Sequence, residues 1–166
     1  MEMSVYIVNI GKCHEGEEVG AWFTPPLNYE DIAEKIGLNE EYQAYVIRDY
    51  DLPFRIEKHT GIDEINHLCS LVEELRDQDW YDAIPELLTC GHFRDLHDLI
   101  ESPNDIVHWK SCESMSDIAR KYVEQKYFGE VPAQIEKYIN YMAIGHDLTI
   151  KRTFIDTSRG IFEIDW

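Results

Sequence analysis

Asp77, Asp79, Asp82 and Glu86 crowd into the short stretch DQDWYDAIPELL, a density of carboxylates that first suggests calcium. An EF-hand loop needs glycine at its sixth position and glutamate at its twelfth, and here those positions hold Asp82 and Leu88. The stretch is not an EF-hand. Zinc would have to be drawn from Cys90, His92, His97, His108 and Cys112. CxH followed by HxxxC supplies ligand types, but the spacing matches no closed four-ligand pattern. Asp49 and Asp51 could serve acid–base work if they converged, yet alternation along a strand is expected to turn them to opposite faces. GxSxG, P-loop and GxGxxG motifs are absent, and no cysteine has an evident histidine partner. No catalytic residue, metal site or cofactor is assigned, and the protein is not expected to be an enzyme. A hydrolase using scattered carboxylates and a metal stays open as an alternative.

The elements that carry these acids point to a different use of charge. From Asp63 to Glu101 the chain has eleven carboxylates against only Arg76 and Arg94. At the helical period Ile62, Ile65, Leu68, Val72 and Leu75 form one side of a first helix, with Asp63, Glu74 and Asp77 opposite and Glu73 beside Glu74. A second helix sets Trp80, Ile84 and Leu87 against Asp79, Asp82 and Glu86, with a restart near Pro85. A third, built on Phe93, Leu96, Leu99 and Ile100, leaves Asp95 and Asp98 outside. Surface helices ordinarily alternate signs so that neighbouring turns attract, whereas here like charges repel. Three such helices of about 18 Å side by side would carry about one charge per 1.7 Å, the linear density of duplex DNA.

The whole chain has 166 residues, 44% hydrophobic content and a net charge of −18, enough apolar material for one domain or several small ones. Residues 62 to 103 hold eleven acids and two bases, residues 1 to 61 twelve and five, and residues 104 to 166 ten and eight. Such a field disfavours binding to nucleic acid or to an anionic membrane and favours a strongly basic partner. A generic acidic adaptor for some basic protein would meet the same description. Cys13, Cys69, Cys90 and Cys112 are scattered and read as free thiols in a reducing compartment. With no basic, apolar leader and no run long enough to span a bilayer, the expected location is the cytoplasm.

The expected fold is α+β in three small domains, 1–61, 62–103 and 104–166. Strands are expected at Val5–Ile10, Gly20–Thr24 and from Ala44, with the turn-rich GKCHEGEE after the first and a short helix from Tyr29 to Ile36 ended by Gly37. Thr60 and Asp63 resemble a capping box for the acidic helices. Beyond Pro103, Ser114 and Asp117 cap a helix through Ile118, Ala119, Tyr122 and Val123. Another helix, from Pro132 to a stop near Gly145, carries Ile135, Tyr138, Ile139 and Met142 on one side. The tail DLTIKRTFIDTSRGIFEIDW alternates as a hairpin turning near Ser158 to Gly160.

Three stretches, VGAWFTPPLNYEDIAEKIGLNEEYQAYVIRDYDLPF, YFGEVPAQIEKYINYMAIGHDL and RGIFEIDW, closely resemble the ArdA antirestriction family, over essentially the full chain. Members travel on conjugative plasmids and transposons and inhibit type I restriction-modification enzymes by mimicking duplex DNA. The resemblance implies an elongated three-domain protomer that dimerises through its C-terminal domain. Carboxylates on its outer face, here Asp49, Asp51, Asp63, Glu73, Glu74, Asp77, Asp79, Asp82, Glu86, Asp95, Asp98 and Glu101, would stand in for phosphates. The family's antirestriction motif falls on Gly129, Glu130, Val131, Pro132, Tyr138, Tyr141, Gly145, Asp147 and Leu148. Gly129 and Pro132 are also what a helix stop and restart require. Where other members read AYGRDL this chain has Ile144 and His146, which makes a charged contact there depend on pH. For the dimer contact, Tyr138, Tyr141 and Met142 with Phe154 and Phe162 are the apolar candidates.

Overall fold

Strand β1 (Ser4–Asn9) is the middle strand of the first sheet in the computed structural model, which describes residues 1–103 and 105–165. Its β-branched residues Val5, Ile7 and Val8 are fully buried. Antiparallel neighbours flank it, β2 (Gly20–Phe23) on one side and β3 (Tyr45–Asp51) on the other. A bulge interrupts the second pairing: Ile7 faces Ile47 and Tyr6 faces Asp49, so Arg48 has no opposite number. Asp49 and Asp51 are two residues apart, so the period of two puts them on one face of the strand, not on the opposite faces expected.

The stretch expected as a turn contains a helix, α1 (Ile10–His14), because Asn9 caps it. Its side-chain oxygen accepts from Lys12 N at 3.1 Å, while its amide donates to the carbonyls of Ile36 (3.1 Å) and Gly37 (3.2 Å). A fully buried asparagine thereby ties α1 to the end of α2 (Tyr29–Ile36). Helix α2 starts on Asn28, buries Ile32 and Ile36, and stops at Gly37 with φ +71°, as its sequence foretells. Helix α3 (Ile62–Glu74) buries Ile65, Cys69 and Val72, with Leu75 just beyond its end. Asn66 holds it to the chain before α2, accepting from Leu27 N and donating to Leu27 O. The expected capping box does not form: Gly61 is the N-cap, and the Thr60 hydroxyl accepts from Glu57 N at 2.8 Å.

The chain divides into two compact units, Met1–Pro85 and Glu86–Trp166, and the division falls inside α4 (Ile84–Thr89). A 3-10 turn, Tyr81–Ala83, leads into α4, whose first turn accepts Pro85 because the proline N–H would lack a partner there anyway. Helix α4 and the next, α5 (Leu96–Glu101), have six residues each, about 9 Å of axis and half the length expected. The DNA-like spacing inferred from three 18 Å helices therefore does not hold in that form.

In the second unit β4 (Ile106–His108), β6 (Gly160–Ile164) and β5 (Thr153–Thr157) form an antiparallel sheet in that order. Only the hairpin was expected, since three residues of β4 carry no period long enough to read. Helix α6 (Met115–Glu124) begins as its sequence implies, with the Ser114 hydroxyl accepting from Asp117 N at 3.2 Å. The helix expected to run unbroken from Pro132 to Gly145 is instead two. Helix α7 (Ala133–Glu136) is a single turn, and α8 (Tyr141–Lys151) restarts on Asn140, whose side chain accepts from Ala143 N at 3.1 Å.

Gly145 does not stop α8. It lies in the helix interior, where a Cβ would stand 2.7 Å from the carbonyl oxygen of Met115. The glycine is a packing requirement of α8 against the start of α6. Gly145→Ala is expected to cost about 1–3 kcal/mol, read as a lower denaturant midpoint at unchanged slope.

Trp109, Cys112, Ile118, Ala119, Tyr122, Leu148 and Ile161 form one core cluster of this unit. Beside it Glu163, only 3% exposed, accepts hydrogen bonds from Trp109 Nε1 (2.9 Å), Tyr122 Oη (2.5 Å) and Arg152 Nη1 (2.8 Å). Burial, the bond to Glu163 and that carboxylate's charge push the Tyr122 phenol far above its ordinary value of 10.0. In the unfolded chain it ionises near 10, so its contribution is complete below that pH and is lost as pH climbs beyond it. Of ten tyrosines, Tyr122 is expected to titrate last, its phenolate absorbance appearing only with alkaline unfolding. Tyr122→Phe should remove that late step.

Candidate acidic interaction surface

Nine of the twelve candidate carboxylates are exposed: Asp49, Asp51, Asp63, Glu74, Asp77, Asp79, Asp82, Asp95 and Glu101. Glu73, Glu86 and Asp98 are half-buried, and each does something within the fold. The stretch from Asp63 to Glu101 has two arginines, and both are engaged locally. Arg76 pairs with Glu73, and Arg94 pairs with Asp98 at 2.8 Å, holding the Asp98 carboxyl below the usual carboxylate range. Glu86 accepts from both the amide (2.8 Å) and the hydroxyl of Ser158, clamping the turn of the β5–β6 hairpin. Asp95 is exposed but also caps α5, accepting from Asp98 N at 3.0 Å.

Along α3 the exposed stripe reads Asp63, His67, Ser70, Glu74, three or four residues apart. Carboxylates stand at its two ends. Asp77, Asp79 and Asp82 follow in the turns after α3, where the chain has no helix longer than the single 3-10 turn. The first unit also carries an open cleft of about 890 Å³ whose lining includes Glu2, Asp51, Glu73, Glu74 and Arg76. It joins Asp51 of β3 to Glu73 and Glu74 of α3, and adds Glu2, which sequence reasoning missed because a single terminal acid has no pattern around it.

The motif in the second unit separates into two kinds of residue. Gly145 and Leu148 are buried, and Gly129 adopts φ +87°, a conformation that side chains other than glycine's disfavour. Pro132 is the N-cap of α7. Glu130, Tyr138 and Asp147 are exposed, with Glu130 paired to Lys126 at 2.6 Å, and Val131 and Tyr141 are half-buried. The guanidinium of Arg120 lies 4.2 Å from the centre of the Tyr141 ring. Beyond the motif Ile135, Met142 and Ile150 are exposed as well, so α7 and α8 present apolar side chains to solvent. Of the expected dimer contacts, Phe162 must be struck out: it is fully buried and stacks on His108 with centroids 4.4 Å apart. Phe154 packs against the core.

Among the described residues no three His, Cys, Asp or Glu side chains converge as a metal-ligand group, and no helix is long and apolar enough to cross a membrane. A family model described as Antirestriction protein (ArdA) matches residues 5–163, and no curated protein matches the chain.

Proposed function

From the premise that the chain belongs to the ArdA family of antirestriction proteins, a family of restriction inhibitors, we propose that it occupies the DNA-binding groove of type I restriction-modification enzymes as a mimic of duplex DNA. The observation that carries this is the disposition of charge between Asp63 and Glu101. The only two bases there are engaged by Glu73 and Asp98, and Asp63, Glu74, Asp77, Asp82 and Glu101 stay exposed. A groove that holds DNA is lined by Lys and Arg and gains affinity by releasing counterions from the polyanion it receives. An acidic protein surface can enter the same groove. Having no base edges, it inhibits enzymes of different target sequence alike. In competition against labelled duplex for a purified type I methyltransferase, the protein is expected to displace DNA at a ratio near one inhibitor assembly per enzyme. Failure to displace it at any concentration would remove the proposal.

A homodimer joined through residues 104–166 belongs to the same proposal. That third holds ten acids and eight bases, so two copies meet there with less repulsion than elsewhere. Tyr138, Met142 and Ile150 are 75%, 76% and 70% exposed, and beside them runs an open groove of about 280 Å³ that includes Val131, Ile135, Ile139 and Ile144. Sedimentation is expected to give a dimer at micromolar concentration and a monomer for Tyr138→Lys/Met142→Lys.

A further inference from the structure

The first sheet sets Trp22, Tyr6 and Asp49 directly opposite one another, so their side chains form a single row across three strands. Residues facing each other in this way have Cβ atoms about 5 Å apart. Trp22 is 46% exposed, and its ring lies 5.4 Å from that of Tyr6 with the planes inclined at 45°. Gly20 shapes the row from beneath. A Cβ there would stand 2.9 Å from Cζ and Oη of Tyr6 and equally 2.9 Å from Cγ2 of the buried Val8, so its absence lets the phenol lie across β2. Asp51, opposite Ser4, occupies the next row on the same face. Arg48, the base nearest in sequence, is turned to Glu18 (3.1 Å) and to the Cys13 sulfur (3.4 Å).

Two aromatic rings beside two carboxylates differ chemically from a run of phosphates. An anion alone attracts lysine and arginine as charges. A ring next to a carboxylate favours the planar guanidinium, which can stack on the ring while its N–H fork bonds the acid. We propose that the Trp22–Tyr6–Asp49 row, with Asp51 behind it, is a docking site for an arginine side chain of a basic protein partner. The identity of that partner rests on the groove occupation proposed above, but the preference for arginine is measurable without it.

The probes are tetra-arginine and tetra-lysine peptides titrated into the full chain at equal ionic strength. Arginine peptide is expected to bind about two- to fivefold more tightly, the range of an exposed cation–π contact. Trp22→Leu and Tyr6→Leu should erase that factor while leaving lysine-peptide affinity unchanged. Gly20→Ala keeps both rings, displaces Tyr6 and should reduce the factor too, which covers the case in which an aromatic deletion unfolds the sheet. Asp63→Asn/Asp77→Asn/Asp82→Asn should weaken both peptides and leave their ratio as it was. Equal affinity of the parent for the two peptides would overturn the proposal, as would a ratio that survives all three sheet variants in their folded state. If the protein fails to displace duplex from the methyltransferase yet keeps a ratio that depends on Trp22 and Tyr6, groove occupation falls and the arginine site stands.

Discussion

Replacing Asp63, Glu74, Asp77 and Asp82 together by their amides is expected to weaken displacement of duplex from a type I methyltransferase by about tenfold or more. Each change alone should cost no more than a factor of about three. Exposed charges are screened over about 8 Å at physiological salt, so each carboxylate supplies a fraction of a distributed field and none is indispensable. The fold should be untouched or slightly firmer, because four repelling charges are removed from a chain of net charge −18. Glu86 is kept out of the set because its carboxylate holds Ser158. Glu86→Ala should lower stability by about 1 kcal/mol and leave displacement nearly intact. Displacement by the parent should also weaken as salt is added, less steeply than binding of DNA with its condensed counterions. A fourfold variant as effective as the parent across the salt series would take these four acids out of the proposed surface. Equal dispensability of further acidic blocks would end the case for mimicry.

The largest loss of stability is expected at Glu163. Removing one partner of a buried pair typically costs about 3–5 kcal/mol, and since the Arg152 side chain is 40% exposed and can be rehydrated, about 2–4 is expected for Glu163→Ala. For a chain of this length that is a fall in Tm of roughly 5–15 °C, measurable by calorimetry. Glu163→Gln should recover only part of it. Its amide oxygen can still accept from Tyr122 and Arg152, but its NH2 group then faces the indole N–H of Trp109, donor against donor. Equal stability of the glutamine variant and the parent would show that the charge contributes nothing.

What could be read in the sequence was local. Gly37 ends α2 and Ser114 begins α6 because a cap is decided within a turn of the residue itself, and in the first sheet β1 and β3 stand out by Val and Ile, β2 by Trp22 and Phe23. What escaped was decided by groups distant along the chain. Gly145 reads as a helix stop, since nothing nearby announces that Met115 will press against it. Asn9 reads as one more residue of the first strand, while its partners at Ile36 and Gly37 make it the joint between two helices. Glu86 looks like any other acid of its stretch, although Ser158, which it binds, is 72 residues away. Thr60 was lost to a closer competitor, the amide of Glu57. The acidic composition was legible at once, and the division of those acids into exposed and engaged was not.

The bulge at Arg48 sets the parity of everything after it on β3. Without that extra residue the pairing would continue from Ile7 and Ile47 to place Arg48 opposite Tyr6 and Asp49 opposite Val5, which is fully buried. One inserted residue thus moves a carboxylate from the core side of the sheet to its open side. In comparing relatives, a single-residue gap here would look trivial when the sequences are aligned, yet it would turn the strand's remaining side chains inside out. Relatives that keep acids at these positions are therefore constrained in the count of residues between Ile47 and Asp49 as firmly as in the identity of the acids.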